Sequence, residues 1–325
     1  MGKVNNVLNR YFRDRERFAD LFNGVFFDGR QAICAEGLSE ISEVCIGPGN
    51  RKGKDHRLGN DLERIRDIRM QLESGEILRV LALENQNLVD YAMPFRCMQY
   101  DAMEYGRQLA DIRRRNEKEG CYANAAERLC RVTRNDRLIP VYTLCLYHGE
   151  ESWDGPRSLK DMMDFGMDGD GMSSFFADYP FHLYCVNEEK KFEIFKTEVR
   201  VLFEMLCYRR DKAELKRLVE SGEGYRHVSG ETLEAAAVML NAPRLWENRM
   251  RYMNQEQWEE YDMCQAMREW AEEERSIGRE EGMEKGMEIT LYTLVKEGLL
   301  KLRDAAGYIN MEEDAFAERM KQAGF

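Results

Sequence analysis

RDIRMQLESGEILRVLALENQN, residues 66–87, decides how the rest of the chain is read. Around Arg64–Leu72 the residues alternate, with Ile65, Asp67 and Arg69 on one set, as in a strand with one buried face. Ile77–Leu83 is a continuous apolar run broken only by Arg79, the pattern of a strand covered on both faces. Ser74 and Gly75 between them form a turn pair. The two segments predict a β-hairpin, with Asp67 in the first strand and Glu84 at the end of the second. A carboxylate that closes a buried strand is costly unless it is paired or bound to a metal.

That cost suggests chemistry. Mg²⁺ takes hard oxygen ligands, typically one or two carboxylates completed by water and substrate phosphate. Asp67 and Glu84 from adjacent strand ends, with the main-chain carbonyl of Asn85, would make such a set. Gln86 lies two residues beyond Glu84 and shares its face, where it would position an attacking water or a phosphate oxygen. A metal there would lower the pKa of the water and stabilise charge developing on phosphorus. From spacing alone the alternative stays open: Glu84 as a solvated strand end and Asp67 as a surface acid.

Outward from the hairpin, residues 7–28 predict one helix, with Leu8, Phe12, Phe18, Leu21, Phe22, Val25 and Phe26 on a stripe ended by Asp28-Gly29. Residues 29–60 read as mostly irregular, and GPGNRKGKDHRLGN at 47–60 is a loop. Residues 90–118 carry Tyr91, Phe95, Met98, Ala102, Tyr105 and Leu109 at helical steps. Strands are predicted at Ile139–Tyr147 and Phe181–Val186. The order helix, hairpin, helix, strand gives an α/β fold, a mixed sheet flanked by helices, followed by a mostly helical C-terminal region. Residues 188–221 and Thr232–Leu240 are predicted helical, with a break at Gly222–Gly230. Gln255–Thr293 is a long charged helix with Gly278, Gly282 and Gly286 four apart. Glycine costs up to about 1 kcal/mol per helical site against alanine, so three of them imply close approach of another backbone or deliberate looseness. The last stretch, Leu294–Phe325, predicts two short helices. The organisation expected is a core over 1–187, a helical extension over 188–250 and a charged helical tail over 251–325.

Composition narrows the class. The chain has 325 residues, a net charge of −12 and nine cysteines, none in a CxxC pair. Zinc ribbons and disulfide frameworks therefore fit poorly, and free thiols in a reducing cytoplasm fit better. No apolar run approaches the roughly 18–20 residues that span a bilayer, and the start has no signal-peptide core. The expectation is a cytoplasmic protein. Residues 1–140 hold 24 Lys/Arg against 22 Asp/Glu, which leaves −14 for the rest. Basic clusters at 51–57, at 113–115 and at Arg128, Arg131, Arg134 and Arg137 would steer a polyanion locally. Four histidines with no second one at metal spacing make a His-based zinc site a poor reading. His148, which follows a buried strand, reads as structural before catalytic. GxSxG, P-loop and GxGxxG motifs are absent. DFGMDGD at 164–170 lacks the spacing of a calcium loop and reads as a turn.

Three stretches resemble a known family. VLALENQNLVDYAMPFRCMQYDAMEY at 80–105 resembles a strand ending in Glu-His-Gln followed by a helix with an Arg…Tyr pattern. RLIPVYTLCLYHGEESWDGPRSL at 137–159 resembles a Pro-containing strand ending in Tyr-His-Gly, and the glycine-spaced helix at 278–289 resembles a glycine-repeat tail. Together they are similar to the recombination-promoting nuclease, or YhgA-like transposase, family of bacteria, within the PD-(D/E)XK nuclease superfamily. The resemblance implies a restriction-endonuclease-like core and a Mg²⁺- or Mn²⁺-dependent DNA endonuclease tied to recombination or a mobile element. By position, Asp67 and Glu84 would be metal ligands and Gln86 would stand where most superfamily members have Lys. Arg96 and Tyr100 would support the site or contact DNA. Asn85 replaces the family's His. An N-terminal helix often adds an acid, and Asp20 is preferred to Glu16 because it interrupts the apolar face of Phe18, Leu21 and Phe22. The partners implied are DNA and, through the C-terminal helices, a second copy of the chain. The alternative is a catalytically degenerate nuclease fold that binds DNA or protein.

Overall fold

The computed structural model describes residues 3–41, 44–46, 63–65, 67–74, 77–166, 171–254 and 259–325. The predicted loop at 47–60 with its basic cluster at 51–57, the turn residue Gly75, residues 167–170 of DFGMDGD and the expected helix start at 255–258 lie outside the described residues.

In chain order the elements begin with α1 (Lys3–Phe12), α2 (Arg15–Phe27), β1 (Leu38–Glu40), β2 (Val44–Ile46) and β3 (Glu63–Ile65). Then come β4 (Ile68–Ser74), β5 (Ile77–Gln86), α3 (Met93–Glu119), α4 (Ala125–Cys130), β6 (Val141–Tyr147) and β7 (His182–Cys185). A helical part follows: α5 (Val199–Cys207), α6 (Lys212–Ser221), β8 (Val228–Ser229), α7 (Gly230–Met239), α8 (Pro243–Glu247), α9 (Arg249–Tyr252) and β9 (Glu260–Tyr261). The chain closes with α10 (Met263–Lys296), α11 (Leu302–Tyr308) and α12 (Glu313–Gln322).

The main sheet has five strands in the order β1-β4-β5-β6-β7. β1, β4 and β5 run antiparallel, whereas β5, β6 and β7 run parallel. The predicted hairpin is the β4–β5 pair, with Ile68 opposite Leu83 and Ser74 opposite Ile77. Helices cover both faces of this mixed sheet, as expected of an α/β protein with a helical C-terminal part. One face presents Met70, Leu72, Leu81, Leu83 and Leu144, all buried. Phe26 of α2 meets Tyr142 and His182 on that side, with ring centroids 6.5 and 4.7 Å apart. The other face carries Arg69, Ala82, Thr143, Cys145 and Tyr147, and α3 lies over it. Met93 and Cys97 of α3 share a buried cluster there with Cys145, Tyr147, Trp153, Phe181 and Cys185.

Two helix predictions are corrected. The helix expected over 7–28 is two, because Asp14 leaves the helical conformation to cap α2, its carboxylate accepting from Arg17 N at 3.0 Å. The apolar stripe continues through the break, so periodicity alone hides it. Over 188–221 the chain forms a short 3₁₀ turn at Phe192–Ile194 and then α5 and α6, with Asp211 capping α6. The long glycine-spaced helix begins at Met263, and α11 and α12 are the two short helices expected at the end.

The chain divides into compact units at 1–264 and 265–325. The helices after residue 188 therefore share a unit with the sheet. α7 lies against α1, where Glu198 accepts from Ser229 N at 2.9 Å and Ser229 Oγ at 2.6 Å, and Thr232 Oγ1 donates to Tyr11 OH at 3.2 Å. In the C-terminal unit, Leu291, Tyr292, Ala305, Ala306 and Phe316 form a small core. A Cβ added at Gly278, Gly282 or Gly286 would meet nothing within 4 Å, so close approach within that unit does not account for these glycines. Among the described residues no helix is long and apolar enough to cross a membrane.

The polar contacts under α3 give a measurable pH dependence. Glu104 is buried and paired with Arg69 and Arg107. Burial pushes its pKa up, but bonds from Arg107 and Gln108 and the nearby Arg69 charge outweigh it and hold the carboxyl below its ordinary value. A folded-state pKa below the unfolded one contributes stability that is complete above the ordinary carboxylate range, about 4.3 for Glu. That contribution is lost as pH falls through the depressed value. Urea unfolding from pH 6 to pH 3 is expected to show a shallower loss for Glu104→Gln than for the wild type. Parallel curves would remove Glu104 as a source of acid lability.

Candidate active site

Alternation along β5 distributes its last three side chains. Glu84 sits beside Cys145 in the register and Gln86 beside Tyr147, on the face covered by α3, while Asn85 turns to the opposite face. Asp67, predicted within the first strand, instead lies in a bend one residue before β4, whose first residue Ile68 pairs with Leu83. Asp67, Glu84 and Asn85 are all buried, and Gln86 is half-buried.

The contacts tie these residues to two helices. Asp67 Oδ2 accepts from the main-chain N of Asn85 at 2.7 Å, and Oδ1 accepts from Asn9 Nδ2 at 3.0 Å. Asn85 Nδ2 donates to Asn9 Oδ1 at 2.7 Å. Asn9 of α1 thus bridges the strand ends from one face. From the other face Arg96 of α3 reaches Glu84, Nη2 to Oε2, at 3.9 Å, while its other arm pairs with Asp90. Arg96 Nη2 also donates to Tyr100 OH at 3.4 Å. Burial works against the Arg96 charge, but Tyr100, Asp90 and Glu84 hold its pKa above the ordinary value. Cys145, beside Glu84, is kept a neutral thiol: burial, Cys97 and the Glu84 charge all push its pKa up. A thiol so raised is a poor nucleophile.

Asp67, Glu84, Asn85, Gln86, Arg96 and Tyr100 therefore gather at the ends of β4 and β5 and the start of α3. Asp20 does not join them through any hydrogen bond. Its buried carboxylate accepts from Lys196 N, at 2.9 Å to each oxygen, and from Thr197 N and Oγ1 at 2.7 Å. An acid on an apolar face signals burial correctly, but here three donors from the segment before α5 satisfy it. Glu16, the other candidate, is exposed. The α1 residue bonded to Asp67 is Asn9, a neutral amide, and no local pattern singles it out.

Among the described residues no group of three or more His, Cys, Asp or Glu is arranged to hold a metal ion. Two carboxylates remain, the number Mg²⁺ uses when water and substrate supply the rest. Asp67 is held by Asn9 and Asn85 and Glu84 is approached by Arg96, from opposite faces of the strand pair.

The Tyr147-His148-Gly149 turn closes the neighbouring strand. His148 N donates to Gln86 O at 2.9 Å, continuing the β5–β6 ladder. Tyr147 folds back so that its OH donates to Glu151 O at 2.9 Å. A Cβ at Gly149 would fall 2.2 to 2.5 Å from the Tyr147 ring, which explains glycine here. Comparison of the chain with protein-family models, curated proteins and solved structures finds no match.

Gly149→Ala is expected to lower stability by about 1–3 kcal/mol through overpacking, read from urea unfolding. In a Tyr147→Ala background most of that difference should vanish. An undiminished cost in the double variant would place the strain elsewhere.

Proposed function

We propose that this chain is a metal-dependent DNA endonuclease with a restriction-endonuclease-like core, of the recombination-promoting, YhgA-like kind, acting in recombination or for a mobile element. The observation that supports the reading is that Asp67, one residue before β4, and Glu84, near the end of β5, are both buried acids at adjoining strand ends. Buried carboxylates favour nearby positive charge, and Arg96 stands 3.9 Å from Glu84. Mg²⁺ or Mn²⁺, when bound, would polarise the phosphate and activate water. The chain's own residues orient and hold. Asn9 and the Asn85 amide fix the Asp67 carboxylate, Arg96 positions Glu84, and Gln86 is placed to orient water or a phosphate oxygen without adding charge.

One observation favours a second reading, a degenerate nuclease fold that binds DNA or protein. The N-terminal acid that would enlarge the ligand set is committed to Lys196 and Thr197, and both Asp67 oxygens already accept hydrogen bonds.

Supercoiled plasmid with Mg²⁺ or Mn²⁺ is expected to be nicked by the wild type. Glu84→Ala should slow nicking on the order of a hundredfold or more. Equal nicking by both proteins, or by neither, would remove the nuclease reading. Retention of DNA in a gel shift without cleavage would move the function to binding.

A further inference from the structure

A cavity opens at the carboxyl ends of β5 and β6. Its volume is about 630 Å³, within the range of small-molecule sites. The wall includes Leu88, Tyr91, His148, Glu150, Asp154 and Arg209.

Charge pairing around it is uneven. Arg210 engages Glu150 at 3.6 Å and also pairs with Glu151. Tyr91 OH bonds both oxygens of Asp154 at 3.0 Å. Arg209 makes no ion pair among the described residues; its Nη2 donates to His148 O at 3.0 Å, and the side chain is half-buried. Burial lowers the pKa of Arg209, and the nearby Glu150 charge offsets part of that. His148 is buried against the same wall, and its Nε2 has no hydrogen-bond partner among the described residues. Burial and the Arg209 charge bring the His148 pKa down to about 4.

The supporting loop is rigidly tied. Tyr147 OH holds Glu151 O, and Asn187 Nδ2 donates to Glu150 O at 3.3 Å and to Glu151 O at 2.8 Å. Arg209 and His148 are thus set in place before any ligand arrives, which lowers the cost of binding. Leu88 and Tyr91, 74% and 60% exposed, add apolar and aromatic surface to the same wall.

We propose that Arg209 and His148 seat the phosphate of a nucleotide-sized phosphate monoester, with Leu88 and Tyr91 against its organic part. A guanidinium is suited to phosphate oxygens. The site takes either a free mononucleotide or the 5′-phosphorylated end of a strand. This proposal does not depend on the nuclease reading, because it requires neither a metal nor cleavage.

The full chain has four histidines, so His148 is readily assigned by NMR with a His148→Gln control. Titration with dAMP, inorganic phosphate, and an oligonucleotide with or without a 5′-phosphate is expected to move the His148 ring signals and raise its pKa. Arg209→Gln should weaken dAMP binding roughly tenfold or more, and Arg209→Lys should lie between it and wild type. A response to dAMP alone identifies the free nucleotide, and a response also to the 5′-phosphorylated oligonucleotide identifies a strand end. No movement of His148 with any phosphate probe at millimolar concentration overturns the proposal, a result the wild type gives even if Arg209→Gln fails to fold. Undiminished binding by folded Arg209→Gln overturns it equally.

Discussion

Helix α3 crosses the sheet on a row of buried polar contacts, and its position sets what happens at the strand ends. Asp101 accepts from Thr143 Oγ1 at 2.6 Å and from Tyr179 OH at 2.5 Å. Glu104 pairs with Arg69. Gln108 both accepts from Ile139 N at 2.7 Å and donates to its carbonyl at 3.1 Å. Tyr105 OH accepts from Val141 N at 3.1 Å. Apolar packing alone would tolerate a sliding helix, whereas hydrogen bonds at successive turns fix one register. Slipping by a residue would bury several of these groups without partners, at about 1–3 kcal/mol each. That register is what brings Arg96 to Glu84 near the start of the helix.

The same strand end is held from its other face by a different device. Because β5 alternates, Asn85 points away from α3 and meets Asn9 of α1, and Asp67 bonds to both. Two helices far apart in sequence thus hold two consecutive residues of one strand, Glu84 and Asn85. Such clamping fixes a side chain by neighbours whose own positions are fixed. It also means that Asn9 and Arg96 act on the carboxylates from opposite sides and are structurally independent.

How much of this the sequence carries depends on the range of each signal. The hairpin, α3, β6 and β7 follow from alternation, apolar runs and helical steps, all written in adjacent residues. Glu84 stands out in the sequence because a charge that closes an apolar run is locally anomalous. β1 is not legible: Leu-Ser-Glu has no strand pattern and is a strand only because β4 offers it a free edge. The break at Asp14 was written as a cap but masked by the stripe of Leu8, Phe12 and Phe18 across it. Asn9 is invisible because its partners lie 58 and 76 residues away. Asp20 shows the converse. Its burial was legible, but its partners, 176 and 177 residues on, decide whether burial means chemistry or architecture.

The arginines read as local basic surface need the same distinction. Arg115 pairs with Asp136, Arg114 with Asp111 and Arg131 with Glu117. Arg113 donates to Cys130 O, and Arg137 to the carbonyls of Arg134 and Asp136. A count of charges along the sequence treats these cations as available, but pairs at this spacing cancel much of each other's field beyond a Debye length of about 8 Å at physiological salt. Arg113 and Arg137 bond only dipoles and keep their full charge. Among the described arginines of these clusters, a count of charges therefore overstates the positive field that is left unpaired. The same holds beside Glu84: Arg96, which reaches it at 3.9 Å, is shared with Asp90, so its charge is divided between carboxylates and little of it is left to draw a polyanion.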